Sequence, residues 1–112
     1  MGIYRLYTGN DGQSHIESVD LGGQPELKSL RPTTGIMFQE SPPGNFIDWH
    51  PAPRRQYVIS LSGELEIGLG DGSLHRFGAG DARLVEDTTG QGHTTRVVSS
   101  GPSITAVVPL AD

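Results

Sequence analysis

The sequence predicts an all-β protein, a sandwich or barrel of short strands, and three observations support this prediction. Sixteen glycines and eight prolines make up about a fifth of the 112 residues, and they lie between the apolar runs as turn formers do. No segment shows the 3.6-residue apolar period of an amphipathic helix. The apolar runs are short and closely spaced, giving nine to eleven strands, which is typical of a sandwich or barrel.

Alternating apolar and polar residues indicate the individual strands. The clearest segment is 56–62, where Tyr57, Ile59 and Leu61 share one face and the even-numbered residues share the other. The run Gly70-Asp71-Gly72 predicts a tight hairpin turn, because these residues tolerate positive φ angles. The predicted strands are 3–7, 16–19, 35–40, 46–49, 56–62, 64–69, 73–77, 82–86, 93–98 and 104–109, with weaker signals at 27–30.

Composition limits the classes of function. The length predicts one domain, 1–112, with N-terminal strands and loops in 1–34 and the main barrel in 35–109. A net charge of −5 argues against a nucleic-acid partner, and zero cysteines exclude disulfides and thiolate chemistry. The sequence shows neither a long apolar span nor a signal-peptide pattern, so we expect a cytoplasmic protein with no membrane partner.

Two glycine-punctuated segments have the spacing of a known pair of motifs. In the first, Gly44, His50, Gln56 and Gly63 fall in register with a pattern of glycine, five residues, His-x-His, three residues, glutamate, six residues and glycine. Ala52 stands at its second histidine, and Gln56 at its glutamate. The second segment begins at Gly80 and ends in Gly-x-Gly-His.

Together these segments resemble the two motifs of the cupin superfamily. In the second motif Glu86 replaces the usual proline, and two extra residues precede His93. A rival register from Gly72 would place Arg83 at the ligand position, and arginine stays protonated and cannot bind a metal. The chain resembles small single-domain bacterial cupins of the conserved-barrel type. The resemblance implies an antiparallel jelly-roll β-barrel.

The resemblance also implies a metal between the two motifs. His50, Gln56 and His93 are the candidate ligands for one divalent transition metal, Zn, Ni, Fe or Mn. Loss of the motif's glutamate removes the negative charge that favours a dication. The alternative is that the two histidines are hydrogen-bonded residues lining a metal-free pocket.

Other residues near these motifs are candidates for binding a ligand or a partner. Asp48, Arg54 and Arg55 are candidate substrate-binding residues, since an arginine at the barrel mouth suits the carboxylate or phosphate of a small acid. The alternative is that the arginines are solvated or paired with acidic residues. The polar loop 86–93 is a candidate mobile edge of the site. The apolar outward face of segment 56–62 predicts a homodimer in which this face or the N-terminal strand takes part.

Two functions follow from these features. The first is a metal-dependent enzyme of oxygenase or isomerase type that acts on a small polar ligand in the barrel with a reduced ligand set. The second is a metal-independent module that binds or senses a small ligand without catalysis. The sequence assigns no catalytic residue and does not decide whether the protein is an enzyme.

Overall fold

The computed structural model describes residues 2–112, which form ten β-strands and two short 3-10 helices. Nine of the strands lie within two residues of their predicted bounds, and the tenth, β5, matches its prediction. The strands are β1 Ile3–Thr8, β2 Ser14–Ser18, β3 Met37–Ser41, β4 Phe46–His50, β5 Gln56–Ser62, β6 Glu64–Gly68, β7 Leu74–Gly78, β8 Ala82–Val85, β9 His93–Val97 and β10 Ser103–Pro109.

The weak strand signal at 27–30 is wrong. A 3-10 helix, Pro25–Lys28, lies there, preceded by another at Leu21–Gly23. Pro25 has no N–H to donate to a sheet, and its fixed φ suits the first turn of a helix. The segment therefore joins β2 to β3 without entering either sheet.

The strands form two sheets. One has six strands in the order β2-β1-β8-β5-β10-β3, and the other has four in the order β4-β9-β6-β7. Neighbouring strands pair antiparallel, except that β1 and β8 pair with each other in parallel. The predicted all-β architecture is confirmed, and the N-terminal strand is part of the larger sheet.

Strand β5 shows the predicted alternation. Gln56, Val58 and Ser60 are buried, while Ile59 and Leu61 are exposed on the opposite face. Because successive side chains of a strand point to opposite faces, this alternation fixes Gln56 on the inner side of the larger sheet. The motif residue at position 56 therefore faces the interior, as expected.

The apolar core lies between the two sheets. Its side chains come from both sheets and from the segment before β5, and they are Leu6, Ala52, Val58, Ile67, Leu69, Phe77, Val85 and Val107. Burying a side chain of valine, leucine or phenylalanine contributes about 1.5 to 3 kcal/mol to the free energy of folding.

Within residues 2–112, no helix is long and apolar enough to cross a membrane.

Candidate ligand-binding site

A cavity of about 360 Å³ lies beside the core. Both sheets contribute to its walls, and its lining is a mixture of apolar, hydroxyl, amide, imidazole and guanidinium groups. The lining residues are Leu6, Met37, Gln39, Ser41, Asn45, Ile47, His50, Ala52, Pro53, Arg54, Gln56, Val58, Leu65, Arg83, Val85, His93, Thr95, Val97, Ser103, Thr105 and Val107.

The two motif histidines meet at one side of this cavity. His50 ends β4 and His93 begins β9, and the two residues are direct partners in the antiparallel pairing of these strands. Their ring centroids are 4.6 Å apart. The motif alignment that ends at His93 predicted that His50 and His93 lie together, and the structure places them side by side.

Each imidazole is oriented by a hydrogen bond at Nδ1. The Nδ1 of His93 lies 2.5 Å from Oδ2 of Asp87, and the Nδ1 of His50 lies 2.7 Å from the backbone oxygen of Asp48. A carboxylate and a carbonyl both accept, so each Nδ1 donates and carries the ring hydrogen. With Nδ1 engaged in this way, the Nε2 atom of each ring is left for a ligand, and in a neutral imidazole that atom is an acceptor.

Asp87 anchors the loop that precedes His93. Its side chain is 0 % exposed, and its Oδ2 also accepts a 2.6 Å hydrogen bond from the hydroxyl of Ser14 on β2. Its backbone oxygen accepts a 2.8 Å hydrogen bond from the N–H of Ala52. The loop predicted as a mobile edge is thus tied at Asp87 to β2, to β9 and to the segment before β5.

The third predicted metal ligand, Gln56, has its amide oxygen engaged. Nη1 of Arg54 donates a 3.0 Å hydrogen bond to Oε1 of Gln56. Gln56 is buried, so this bond orients the amide against the cavity wall and holds a positive charge beside the oxygen that would coordinate a metal ion. The amide therefore suits ligand binding through hydrogen bonds better than metal coordination.

The donor set does not fit a tightly bound divalent metal. Two histidines can supply one nitrogen each, but catalytic sites usually require three protein ligands. Within residues 2–112, no group of three histidine, cysteine, aspartate or glutamate side chains is placed to hold a metal ion. Arg54 and Arg83 add two positive charges to the same lining, and these oppose a dication.

Arg83 is a cavity residue that the sequence prediction did not select. It lies on β8, is 5 % exposed, and its guanidinium carbon lies 5.0 Å from the ring centre of Phe77. Burial lowers the pKa of Arg83 to about 10, while the charges of Asp81 and Asp87 act in the opposite direction. The guanidinium therefore remains charged at neutral pH. The rival motif register pointed to this position but was rejected because arginine is not a metal ligand.

Asp48 and Arg55 lie outside the cavity lining. The Asp48 side chain is exposed and accepts a hydrogen bond from the backbone N–H of Trp49. Arg55 forms a salt bridge of 2.7 Å with Glu86 and another with Asp112. Of the three candidate substrate-binding residues, only Arg54 lines the cavity with the histidines.

Glu86, which replaces the proline of the family motif, belongs to a charged cluster on the other side of β8. Arg5 and Arg55 each donate to its carboxylate. Burial alone would raise the pKa of Glu86, but these two guanidinium groups outweigh it, and the pKa lies below its usual value. This cluster ties β1 to the segment before β5 and is separate from the cavity.

The fold resembles those of several solved structures. An RmlC-like cupin family protein with a double-stranded β-helix fold from Methanocaldococcus jannaschii superposes with a TM-score of 0.56 at 20 % identity, covering 67 % of each chain. The polyketide cyclase RemF from Streptomyces resistomycificus superposes with a TM-score of 0.58 at 15 % identity, covering 96 % of this chain and 73 % of RemF.

A more distant match is the Fe(II) enzyme HppE in complex with its substrate. It has a TM-score of 0.50 at 16 % identity, and the match covers 67 % of this chain but only 44 % of HppE. No protein-family model and no curated protein matches the chain. At these identities the likeness concerns the fold. The two sheets confirm the predicted all-β class, and the chain thus has the double-stranded β-helix fold of the cupin structures that it resembles.

Proposed function

We propose that this protein binds a small polar molecule in the cavity between its sheets, through its own side chains and without a metal. The proposal rests on the paired imidazoles of His50 and His93, whose Nδ1 atoms are both engaged in hydrogen bonds. Two Nε2 acceptors on adjacent strands suit a ligand that donates hydrogen bonds, such as one with a hydroxyl group. This proposal includes no catalytic step.

The cavity itself supports the binding of a small molecule. Its volume of about 360 Å³ lies at the lower end of the range usual for small-molecule sites, about 300 to 1,000 Å³. Its walls combine apolar side chains such as Val58 and Val107 with a similar number of polar side chains, so the pocket is more polar than most ligand sites and suits a polar molecule. The hydrogen bond from Arg54 to Gln56 and the burial of Asp87 hold the polar side in one arrangement.

Of the two functions inferred from the sequence, this arrangement favours the metal-independent one. A metal-dependent enzyme would need Gln56 to coordinate the metal through the same oxygen that accepts from the positively charged Arg54. It would also have to hold a dication near two arginines. The solved structures with this fold include a cyclase and an Fe(II) enzyme. The fold can therefore support catalysis, but His50, Gln56 and His93 do not favour a metal-dependent reaction in this chain.

The first prediction concerns metal content and ligand binding. Protein purified without a histidine tag is expected to hold less than about 0.1 equivalents of any transition metal, because only two donors converge. Small hydroxyl compounds are expected to raise its melting temperature equally with and without EDTA. His50→Ala and His93→Ala should remove that increase. Stoichiometric metal in the wild type that both variants lose would contradict the proposal and support the metal-dependent alternative.

We further propose that the chain forms a homodimer through the outer face of β3, β10 and β5. Phe38 is 68 % exposed on this face, and Ile59 and Leu61 are also exposed. Phe38 and Ile59 both lie opposite Ala106 of β10, so the exposed side chains form one apolar surface. An apolar surface of this kind is stabilised when a second copy covers it.

Phe38→Asp is expected to shift the protein from dimer to monomer, because it places a charge at the most exposed large apolar residue of the proposed interface. Light scattering coupled to size-exclusion chromatography measures the change. Leu74→Asp is the matched control, since Leu74 is 63 % exposed but lies on β7 in the other sheet. A wild-type chain that is monomeric at all concentrations would exclude this dimer, as would loss of the dimer in both variants.

A further inference from the structure

We infer that the ligand of the cavity is a small organic carboxylate and that Arg83 is the residue that binds its charged group. This inference rests on the proposed function and specifies the chemical class of its ligand. It concerns a residue on β8, a strand apart from those that hold the two histidines.

Arg83 is a buried cation whose Nε has no hydrogen-bond acceptor among residues 2–112. Only 5 % of the Arg83 surface is exposed. The ring of Phe77 contacts the guanidinium but cannot accept the hydrogen bonds that its planar fork offers. Leaving a buried charged donor without an acceptor is costly, so its retention here indicates that an acceptor is supplied from elsewhere.

The nearby carboxylates are held by other groups. Oδ2 of Asp87 accepts from Ser14 and His93, while its Oδ1 is buried and has no hydrogen-bond partner among residues 2–112. Asp81 accepts from the backbone N–H groups of Gly2 and Gly78. Both carboxylates act on Arg83 through space, but neither accepts a hydrogen bond from its Nε. A ligand oxygen in the cavity would be the acceptor that these side chains do not provide.

The charge of the lining favours the same ligand. Although the whole chain carries a net charge of −5, the described side chains around the cavity include two arginines and neither an aspartate nor a glutamate. In a lining that is otherwise apolar or neutral, a carboxylate ligand would offset part of this excess. The planar fork of a guanidinium matches a carboxylate, and the remaining apolar walls suit a hydrocarbon body.

The second cation has a different place in this arrangement. Arg54 is exposed at the cavity mouth and donates Nη1 to Gln56. Arg83 lies at the buried end, where screening by water and salt is weakest. We therefore expect Arg83 to contribute more to the affinity for a carboxylate, and Arg54 to contribute less.

A matched pair of probes tests this assignment. The probes are 3-hydroxybenzoate and its neutral amide, 3-hydroxybenzamide, together with butyrate and butyramide for a narrower shape, with affinities measured by calorimetry. Each carboxylate that binds is expected to bind at least tenfold more tightly than its amide. Arg83→Met should remove this preference and leave amide affinity within about twofold. Arg83→Lys should retain part of it, and Arg54→Met most of it.

The folded state of each variant is checked by circular dichroism, and the Nε–H resonance of Arg83 reports the contact directly in the wild type. A shift of that resonance on adding carboxylate but not amide supports the inference. If carboxylates and amides bind equally, or if the preference survives in Arg83→Met, the inference is wrong and the proposed binding function stands. If no probe binds, and neither imidazole resonance of His50 and His93 responds, both fail.

Discussion

Asp87→Ala is expected to lower the free energy of unfolding by about 3 kcal/mol or more, the largest loss expected from a single side chain near the site. The Asp87 carboxylate is completely buried and accepts hydrogen bonds from Ser14 and His93. Ser14 and His93 are 2 % and 6 % exposed, so water cannot easily replace the lost acceptor. The substitution would leave two buried donors unsatisfied and a void where the carboxylate lay.

A domain of this size has a total stability of about 5 to 15 kcal/mol, so this loss is a large share of it. We expect the melting temperature to fall by roughly 10 °C or more. Thermal and urea denaturation, followed by circular dichroism, measure both quantities. The imidazole of His93 should also lose its fixed orientation, and the ligand affinity of the cavity should fall with it.

Asp71→Ala provides the matched control. Asp71 also accepts two hydrogen bonds, from the backbone N–H and the hydroxyl of Ser73, but it lies in an exposed turn. Water can solvate the groups that this substitution releases, so its effect should be much smaller. Equal losses in the two variants would show that the buried bonds of Asp87 do not hold the loop.

Most of the fold could be predicted from the sequence because the strands are short, alternate clearly and end at glycine or proline. In β5 the alternation gave the bounds and the two faces, and the resemblance to the first motif gave the inward direction of Gln56. The segment 25–28 was harder, because its apolar residues suggest a strand while Pro25 favours the first turn of a 3-10 helix. The parallel pairing of β1 with β8 depends on contacts 79 residues apart in sequence, from Ile3 to Ala82, and no local pattern encodes it.

The site was predicted only in part, because motif spacing locates strand ends but not hydrogen-bond partners. The spacing placed His50 and His93 together, and the strand register agrees. It could not show that Arg54 engages Gln56 or that Asp87 is buried against Ser14. One signal for Arg83 was available: as the second residue of a predicted strand it has the parity of Val85, and a charged residue within an apolar run is a candidate for a binding role.

Gly92→Ala is expected to disturb the site as well as the stability of the protein. Gly92 directly precedes His93 and has a φ of +78°, a conformation that residues with a Cβ adopt only at a cost. A Cβ at this position would lie 2.0 Å from the backbone oxygen of His50 and 2.4 Å from the backbone nitrogen of Pro51. Because both contacts are to backbone atoms, the clash can be relieved only by moving β4 away from β9.

Gly72→Ala separates the cost of the backbone conformation from the cost of the steric clash. Gly72 has a φ of +87°, but an added Cβ would meet no atom within 4 Å, so its substitution tests the backbone conformation alone. We expect Gly92→Ala to cost about 1 to 3 kcal/mol more than Gly72→Ala in urea denaturation, which is the usual range for forced overpacking. Only Gly92→Ala should shift the imidazole resonances of His50 and His93 and weaken ligand binding. If both variants lose the same stability and leave those resonances in place, the close approach of Gly92 to His50 does not position the histidine pair. A selective effect at Gly92 would mean that the missing side chain at this position, as much as the two imidazoles, determines the shape of the site.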